Sequence, residues 1–220
     1  DYIVSTSHSY SFIIESDIKI FALYRPRKKY NVIVVADEVH CDIIMPDQEF
    51  IPALAFKKYQ KNIISINAVS KTFSLPIYAH CHVVIPCARK RAKFDKFQKN
   101  YHLNTPNYFC ALPSYYGYKY GAEWLDSVNN VVFENFNYVK KELGQYMEMT
   151  SIEGSYLLFL NIGKYNKDKS ASKYLAKKCN IMVNAGETFG EEYNDWVRVN
   201  LATSLANVKK AVKEIKTIIK

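Results

Sequence analysis

Four polar residues stand beside apolar runs that favour β-strands, and their side chains are of types that do chemistry. Asp37 directly follows a β-branched run, and Ser70 and Lys71 come shortly after a second run. Arg198 lies within a third run. Ligands of largely parallel sheets sit beyond the carboxyl ends of the strands. The spacing therefore places Asp37, Ser70 and Lys71 where a ligand is expected.

A lysine, an acid and an arginine are the protein groups that chemistry with pyridoxal phosphate (PLP) requires. The lysine forms a Schiff base and moves a proton, the acid keeps the pyridine nitrogen protonated, and the arginine holds a substrate carboxylate. The sequence offers Lys71, Asp37 and Arg198 for these tasks. Each also has a simpler interpretation, because an aspartate after a strand is commonly a turn or cap residue and a strand arginine is commonly ion-paired.

The first part of the chain alternates buried strands with helices, which is typical of an α/β sheet with mostly parallel strands. Short apolar runs bounded by polar segments predict these strands. We expect strands at 32–36, 63–66 and 82–85, and a helix at 17–30.

The remainder of the chain predicts a smaller α+β unit, joined to the first part by one long amphipathic helix at 123–145. The apolar side of this helix is expected to include Trp124 and Val131. We therefore place a large domain at 1–122 and a small domain with its linking helix at 123–220. The other elements expected here are strands at 156–160 and 196–201 and helices at 170–178 and 205–220.

Composition limits the possible partners. The formal net charge is +9, but the 30 basic side chains are spread along the chain without a nucleic-acid-binding motif, so solvated helix faces explain them more simply. The five cysteines are scattered and form no C-x-x-C pair, which argues against disulfides or a zinc site and favours a reducing cytosol. No apolar stretch approaches the ~20 residues of a membrane span. We expect a cytoplasmic protein without metal, and we expect neither membrane nor nucleic-acid binding.

Four segments of the sequence follow one another in a familiar order. They are 36–42 (ADEVHCD), 69–73 (VSKTF), 153–160 (EGSYLLFL) and 184–203. Together they resemble the class I/II (fold-type I) PLP-dependent aminotransferase family, and their wording is most similar to its cystathionine β-lyase branch, the C–S lyases of the MalY and PatB type. The resemblance covers nearly all of the chain and only the C-terminal part of a complete family member.

The resemblance implies a set of site residues and a fold. Lys71 would be the Schiff-base lysine, Asp37 would pair with the pyridinium nitrogen, and His40 would lie near the phenolic oxygen of PLP. Ser70 would lie beside the phosphate, and Arg198 would bind the α-carboxylate of an amino-acid substrate. The implied fold is a partial large domain, with a mixed, mostly parallel sheet and helices, followed by a C-terminal α+β small domain. Complete family members are typically homodimers, so a homodimer is expected.

The implied activity is α,β-elimination of cystathionine or a cysteine conjugate, giving a thiol, pyruvate and ammonia, and transamination stays open as another activity. The chain departs from the family at two places. Ser9 stands where the family has an Asn that binds the phenolic oxygen, and 74–78 replaces an Asn-x-x-Gly-Leu segment. A truncated or degenerate relative, acting as a non-catalytic binding module, therefore remains the alternative. A sheet that lacks some of its strands exposes an apolar edge, so we expect such a chain to be marginally stable or to associate.

Overall fold

A computed structural model of the chain describes residues 3–7, 33–78, 80–105 and 108–219. The chain divides into two units, of which the first comprises Asp1–Ile44 and Glu49–Leu125 and the second comprises Met45–Gln48 and Asp126–Lys220. The helix expected at 17–30 lies outside the described residues. The domain limits predicted from the sequence, 1–122 and 123–220, stay a prediction.

Among the described residues, the sheet of the first unit has four strands, in the order in which they occur along the chain. The parallel strands are β1 (Ile3–Ser7), β2 (Ile33–Asp37) and β3 (Ile63–Asn67), and β4 (His82–Val84) is antiparallel to β3. Valine and isoleucine dominate β2 and β3, and such β-branched side chains pack well on a pleated surface. The mixed, mostly parallel sheet expected from the sequence is confirmed.

The two faces of this sheet carry different side chains at the carboxyl ends of the strands. Successive side chains of a strand point to opposite faces. Val34 and Ala36 are therefore buried on one face, while Asp37 lies half-buried on the other. The register between β2 and β3 pairs Asp37 with Ile66. Asp37 thus lies at the edge where β3 leads into the next helix.

The first unit contains a small cluster of buried apolar side chains between its sheet and the segment before β3. Val34 and Ile63 are buried there, against Leu54, Phe56 and Tyr59 from the segment before β3. No described helix of either unit combines the length and the apolar character that a membrane crossing needs. The helices of this unit are α1 (Val69–Thr72), α2 (Ala88–Asn100) and α3 (Tyr108–Tyr120), with 3-10 turns at Ala53–Ala55 and Lys57–Asn62.

The second unit is built from the remaining elements. They are α4 (Ala122–Leu143), which begins before the limit of the unit, β5 (Leu157–Asn161), α5 (Ala171–Cys179), β6 (Asn184–Ala185), β7 (Trp196–Asn200) and α6 (Leu205–Ile215), with 3-10 turns at Gly186–Phe189, Glu191–Tyr193 and Lys216–Ile218. The strands form an antiparallel sheet in the order β5-β7-β6. Val132, Phe136 and Leu143 of α4 pack with Leu158 and Leu160 of β5 in its core. The α+β architecture expected for this part is confirmed.

Helix α4 is amphipathic as predicted, but the prediction that Trp124 and Val131 lie on its buried apolar side is wrong. Val131 and Trp124 are 41% and 45% exposed, because the buried stripe of the helix runs through its neighbours at helical spacing and passes beside them. Trp124 lies in the first unit, with its ring centroid 6.0 Å from that of Phe73. The stripe includes instead a fully buried polar residue, Asn135.

Asn135 connects α4 to the segment that follows β7. Its side-chain nitrogen donates hydrogen bonds to the carbonyl oxygens of Leu201 at 2.9 Å and Thr203 at 2.8 Å. Asn135→Ala leaves both carbonyls without this donor, so we expect a loss of about 1–3 kcal/mol in the free energy of unfolding, measured with urea. The control is Asn137→Ala, at an exposed position of the same helix. Equal losses in the two variants would contradict the role given to Asn135.

Candidate active site

Asp37 ends β2, and the turn that follows it carries His40. The half-buried Asp37 carboxylate accepts a hydrogen bond from the Val39 backbone N–H at 3.4 Å. His40 is buried, and its carbonyl oxygen accepts a hydrogen bond from the Ile43 N–H at 3.0 Å. Side chains directly after a parallel strand lie at the ligand-binding edge of such a sheet. Asp37 therefore lies at that edge, and the turn that follows it buries His40.

Ser70 and Lys71 lie on α1, the short helix that begins two residues after the end of β3. Val69 and Thr72 fix the inner side of this helix, with exposed fractions of 0% and 1%. Lys71 is half-buried, and its ammonium group has no hydrogen-bond or ion-pair partner among the described residues. An amine without such a partner is available to bond to a ligand.

The structure places the predicted residues Asp37 and Lys71 at one edge of the first unit's sheet. The loop after β2 and helix α1 lie at the carboxyl ends of adjacent parallel strands, and they carry Asp37 and Lys71. Arg198 belongs to the second unit. Ser9 lies outside the described residues.

Arg198 lies in β7, the central strand of its sheet. Its Nη2 donates to Asn184 Oδ1 at 3.4 Å, and its guanidinium carbon lies 4.8 Å from the centroid of the Phe189 ring. Phe189 packs edge-to-face on Phe159, with the ring centroids 5.2 Å apart. The Arg198 Nε is buried and has no hydrogen-bond partner among the described residues. One amide and one aromatic ring therefore hold a guanidinium that keeps donors for a carboxylate.

Asn184 and Phe189 were not predicted as partners of Arg198. Both lie in the 184–203 segment, yet neither residue type indicates by itself that it contacts an arginine. The pairing of Asn184 with Arg198 follows from the register of β6 against β7, which the sequence does not determine.

A cavity of about 420 Å³ lies on the face of the first unit's sheet opposite Asp37. Glu38 lines it, and its carboxylate accepts a hydrogen bond from the Ser65 hydroxyl at 2.5 Å. Cys41 lines it too, and burial, with the nearby Asp42 and Glu38 carboxylates, raises the pKa of its thiol to about 12. A thiol of this kind stays protonated at neutral pH and is a poor nucleophile. No group of three or more His, Cys, Asp or Glu side chains in the described part of the chain could hold a metal ion.

Cys87 contrasts with Cys41. It immediately precedes α2, where the backbone N–H groups of Lys90 and Arg89 lower the pKa of its thiol. Because the thiolate is the reactive form, we expect iodoacetamide at pH 7 to alkylate Cys87 at least about tenfold faster than Cys41. Peptide mass spectrometry over a time course measures both rates. Equal rates would contradict the environment described for Cys41.

The chain matches the family described as aminotransferase class I and II over residues 19–215. It belongs to this family. Cystathionine beta-lyase PatB of Bacillus subtilis (strain 168) is 26% identical over 194 residues, which are 86% of this chain and 50% of PatB. Protein MalY of Escherichia coli (strain K12) is 23% identical over 190 residues, which are 84% of this chain and 48% of MalY.

A solved structure agrees with these sequence relatives. The PLP-bound C-S lyase from Staphylococcus hominis, complexed with the inhibitor L-cycloserine, matches with a TM-score of 0.87 and 25% identity. The match covers 99% of this chain and 57% of that chain. The chain spans about half the length of the curated relatives it matches. The resemblance to PLP-dependent aminotransferases and C–S lyases, predicted from the motifs, is confirmed.

The described residues fit PLP by the chemistry of their side chains. The Lys71 amine, to which no described residue is bonded, suits a covalent bond to the aldehyde carbon of the cofactor. The Asp37 carboxylate suits a protonated ring nitrogen, since an opposite charge stabilises the protonated form. The Arg198 guanidinium, whose Nε has no hydrogen-bond partner among the described residues, has donors of the kind that suit a carboxylate.

Proposed function

We propose that this chain is part of a PLP-dependent enzyme that cleaves the C–S bond of an amino acid by β-elimination, with transamination as the nearest alternative activity. The observation that carries the proposal is the placement of Lys71 and Asp37 at the carboxyl ends of neighbouring parallel strands. A sulfur-containing substrate is supported by the relative named cystathionine beta-lyase.

Each site residue has a defined task in this proposal. PLP, when bound, supplies an electron sink that eases bond breaking at the α- and β-carbons of an amino acid. Lys71 would hold the cofactor covalently until the substrate amine displaces it, and the released Nζ amine would then accept the proton from the substrate α-carbon. Asp37 would accept a hydrogen bond from the ring nitrogen and keep its proton in place. His40 would lie near the phenolic oxygen, Ser70 would lie near the phosphate, and Arg198 would bind the α-carboxylate.

The overall reaction balances with one water. The Lys71 Nζ takes the α-proton, and the electron pair of that C–H bond forms the new bond between the α- and β-carbons. The electron pair of the C–S bond leaves with sulfur, which takes a proton and departs as a thiol. Hydrolysis of the remaining three-carbon unit gives pyruvate and ammonia.

The purified chain, incubated with PLP and cystathionine, tests the proposal. Pyruvate release that depends on both supports β-elimination. Transfer of the amino group to an added 2-oxo acid, without pyruvate release, would instead identify an aminotransferase. If neither pyruvate release nor amino-group transfer is observed, an enzymatic role for this chain is contradicted.

A non-catalytic interaction module is the second candidate function, and the exposed aromatic side chains of α3 favour it. Among the 13 residues of this helix only Ser114 is buried. Exposed apolar patches commonly mark contacts with other proteins. The exposed aromatic residues of α3 are Tyr108, Phe109, Tyr115, Tyr116, Tyr118 and Tyr120.

The finer properties expected from the sequence belong to the same proposal. We infer that the working enzyme is a homodimer in the cytoplasm, takes a small amino-acid substrate and does not bind nucleic acid. The family resemblance supports the dimer. The scattered cysteines and basic residues support the location and the lack of a nucleic-acid partner.

A further inference from the structure

Thr72 directly follows Lys71 and is tied to the loop that begins at Asp37. Its hydroxyl donates a hydrogen bond to Asp42 Oδ2 at 2.8 Å and lies 3.3 Å from the Ala68 carbonyl oxygen. Thr72 is 1% exposed, so solvent does not compete for this hydroxyl. The bond joins the segments 36–42 and 69–73. Asp37 and Lys71 in these segments have proposed roles, and Asp42 and Thr72 have none.

Phe73, the next residue, anchors the end of α1 on α3. Its ring centroid lies 5.6 Å from that of Tyr118, edge-to-face. A Cβ atom added at Gly117 would come within 2.7 Å of the Phe73 ring, and one at Gly121 within 2.4 Å. Real Cβ atoms do not approach so closely, because packed atoms repel at these distances. Two glycines one helical turn apart thus leave the space that the Phe73 ring occupies.

Helix α1 depends on these anchors. It has four residues, and an isolated helix of that length is not stable, since too few hydrogen bonds form for the residues that must be fixed. The Lys71 side chain has no partner among the described residues that would hold it. Burial and the Asp42 carboxylate raise the pKa of Tyr118 to about 12, so its phenol stays neutral at pH 7 and adds no second negative charge beside Asp42.

We propose that Asp42, Thr72 and Phe73 are positioning residues, which fix the Lys71 backbone relative to the loop that carries Asp37. The hydrogen bond from Thr72 to Asp42 links the loop after β2 to the helix after β3, and Phe73 anchors the C-terminal end of that helix on α3. The inference rests on the role proposed for Lys71. It adds three residues that touch neither cofactor nor substrate and act through the lysine.

Thr72→Val tests the proposal, because valine keeps the shape of the side chain and removes the hydroxyl. Borohydride reduces the carbon–nitrogen bond between PLP and a lysine and leaves a stable label, whose appearance at Lys71 is followed by peptide mass spectrometry. We expect Thr72→Val to slow this labelling about tenfold, the effect of losing one hydrogen bond to a charged group, and Thr72→Ser to restore it. Thr217→Val, at an exposed position of the second unit, is the matched control and should leave the rate unchanged.

The outcomes separate this proposal from the proposed function. If Lys71 is labelled equally in the wild type and Thr72→Val, or if Thr72→Ser is as slow as Thr72→Val, the positioning role is wrong. If the wild type is not labelled at Lys71, the proposed function fails. The positioning role is then tested by amide hydrogen exchange of residues 70–74 without cofactor. Faster exchange in Thr72→Val and normal exchange in Thr72→Ser support positioning, and unchanged exchange overturns it. Should Thr72→Val not fold, Asp42→Asn replaces it, with a smaller slowing in the same direction.

Discussion

Asp37→Asn is expected to slow β-elimination by about 10²–10³-fold, which is typical when a preorganised charge is removed from an active site. The aspartate ends β2, next to β3 in the sheet, and its carboxylate is half-buried. A negative charge there favours the protonated ring nitrogen of PLP, and the neutral amide does not. The covalent bond to Lys71 does not require that charge. Asp37→Asn should therefore lose kcat and keep its lysine-bound PLP.

Rates of pyruvate release and the visible spectrum, measured on the same samples, check this expectation. Asp95→Asn is the control, since Asp95 is exposed on α2 and far along the chain from either motif. An Asp37→Asn enzyme with unchanged kcat would show that the carboxylate does not face the ring nitrogen. An unfolded variant is recognised by its circular dichroism spectrum before any rate is compared.

Arg198→Ala is expected to raise the KM for cystathionine by about 10²-fold, because a charged group that binds a carboxylate through two hydrogen bonds is lost. The guanidinium is held between the Asn184 amide and the Phe189 ring, with a buried Nε that has no partner among the described residues. Arg198→Lys should recover only part of the affinity, since a lysine cannot form the two-point contact.

A comparison of KM with kcat distinguishes this role from a general loss of structure. Arg89→Ala, at an exposed position of α2, is the control and should leave both parameters unchanged. The bond between PLP and Lys71 should form normally in Arg198→Ala, because the arginine serves the substrate and not the cofactor. A KM that stays at the wild-type value would contradict carboxylate binding by Arg198.

The placement of Asp37 and Lys71 at the carboxyl-terminal edge of the first unit's sheet could be predicted because it depends on local sequence. Each strand is a short β-branched run, and each of Asp37 and Lys71 stands a few residues beyond such a run. Parallel strands bring their carboxyl ends to one edge of a sheet, so the two positions could be placed together without any distance being known. The limits of β2 and β3 differ from prediction by one residue at most.

The remaining features depend on contacts between residues far apart in sequence. Thr72 bonds Asp42 across 30 residues, and Arg198 bonds Asn184 across 14. Neither pair has a sequence pattern that indicates contact, because strand register and the path of the loops decide which side chains meet. Val131 shows the same limit, since it is apolar and yet lies outside the buried stripe of α4.

The most direct test of the proposed PLP chemistry is the visible absorbance spectrum of the purified chain with added PLP. The half-buried Lys71 amine, which has no partner in the part of the chain that the structure describes, predicts an absorbance band of lysine-bound PLP in the wild type. The same band is expected in Lys96→Ala, whose lysine is exposed on α2. Lys71→Ala should lack that band. A wild-type spectrum of free PLP, or a band that persists in Lys71→Ala, would contradict covalent PLP binding at Lys71 and would favour the non-catalytic module.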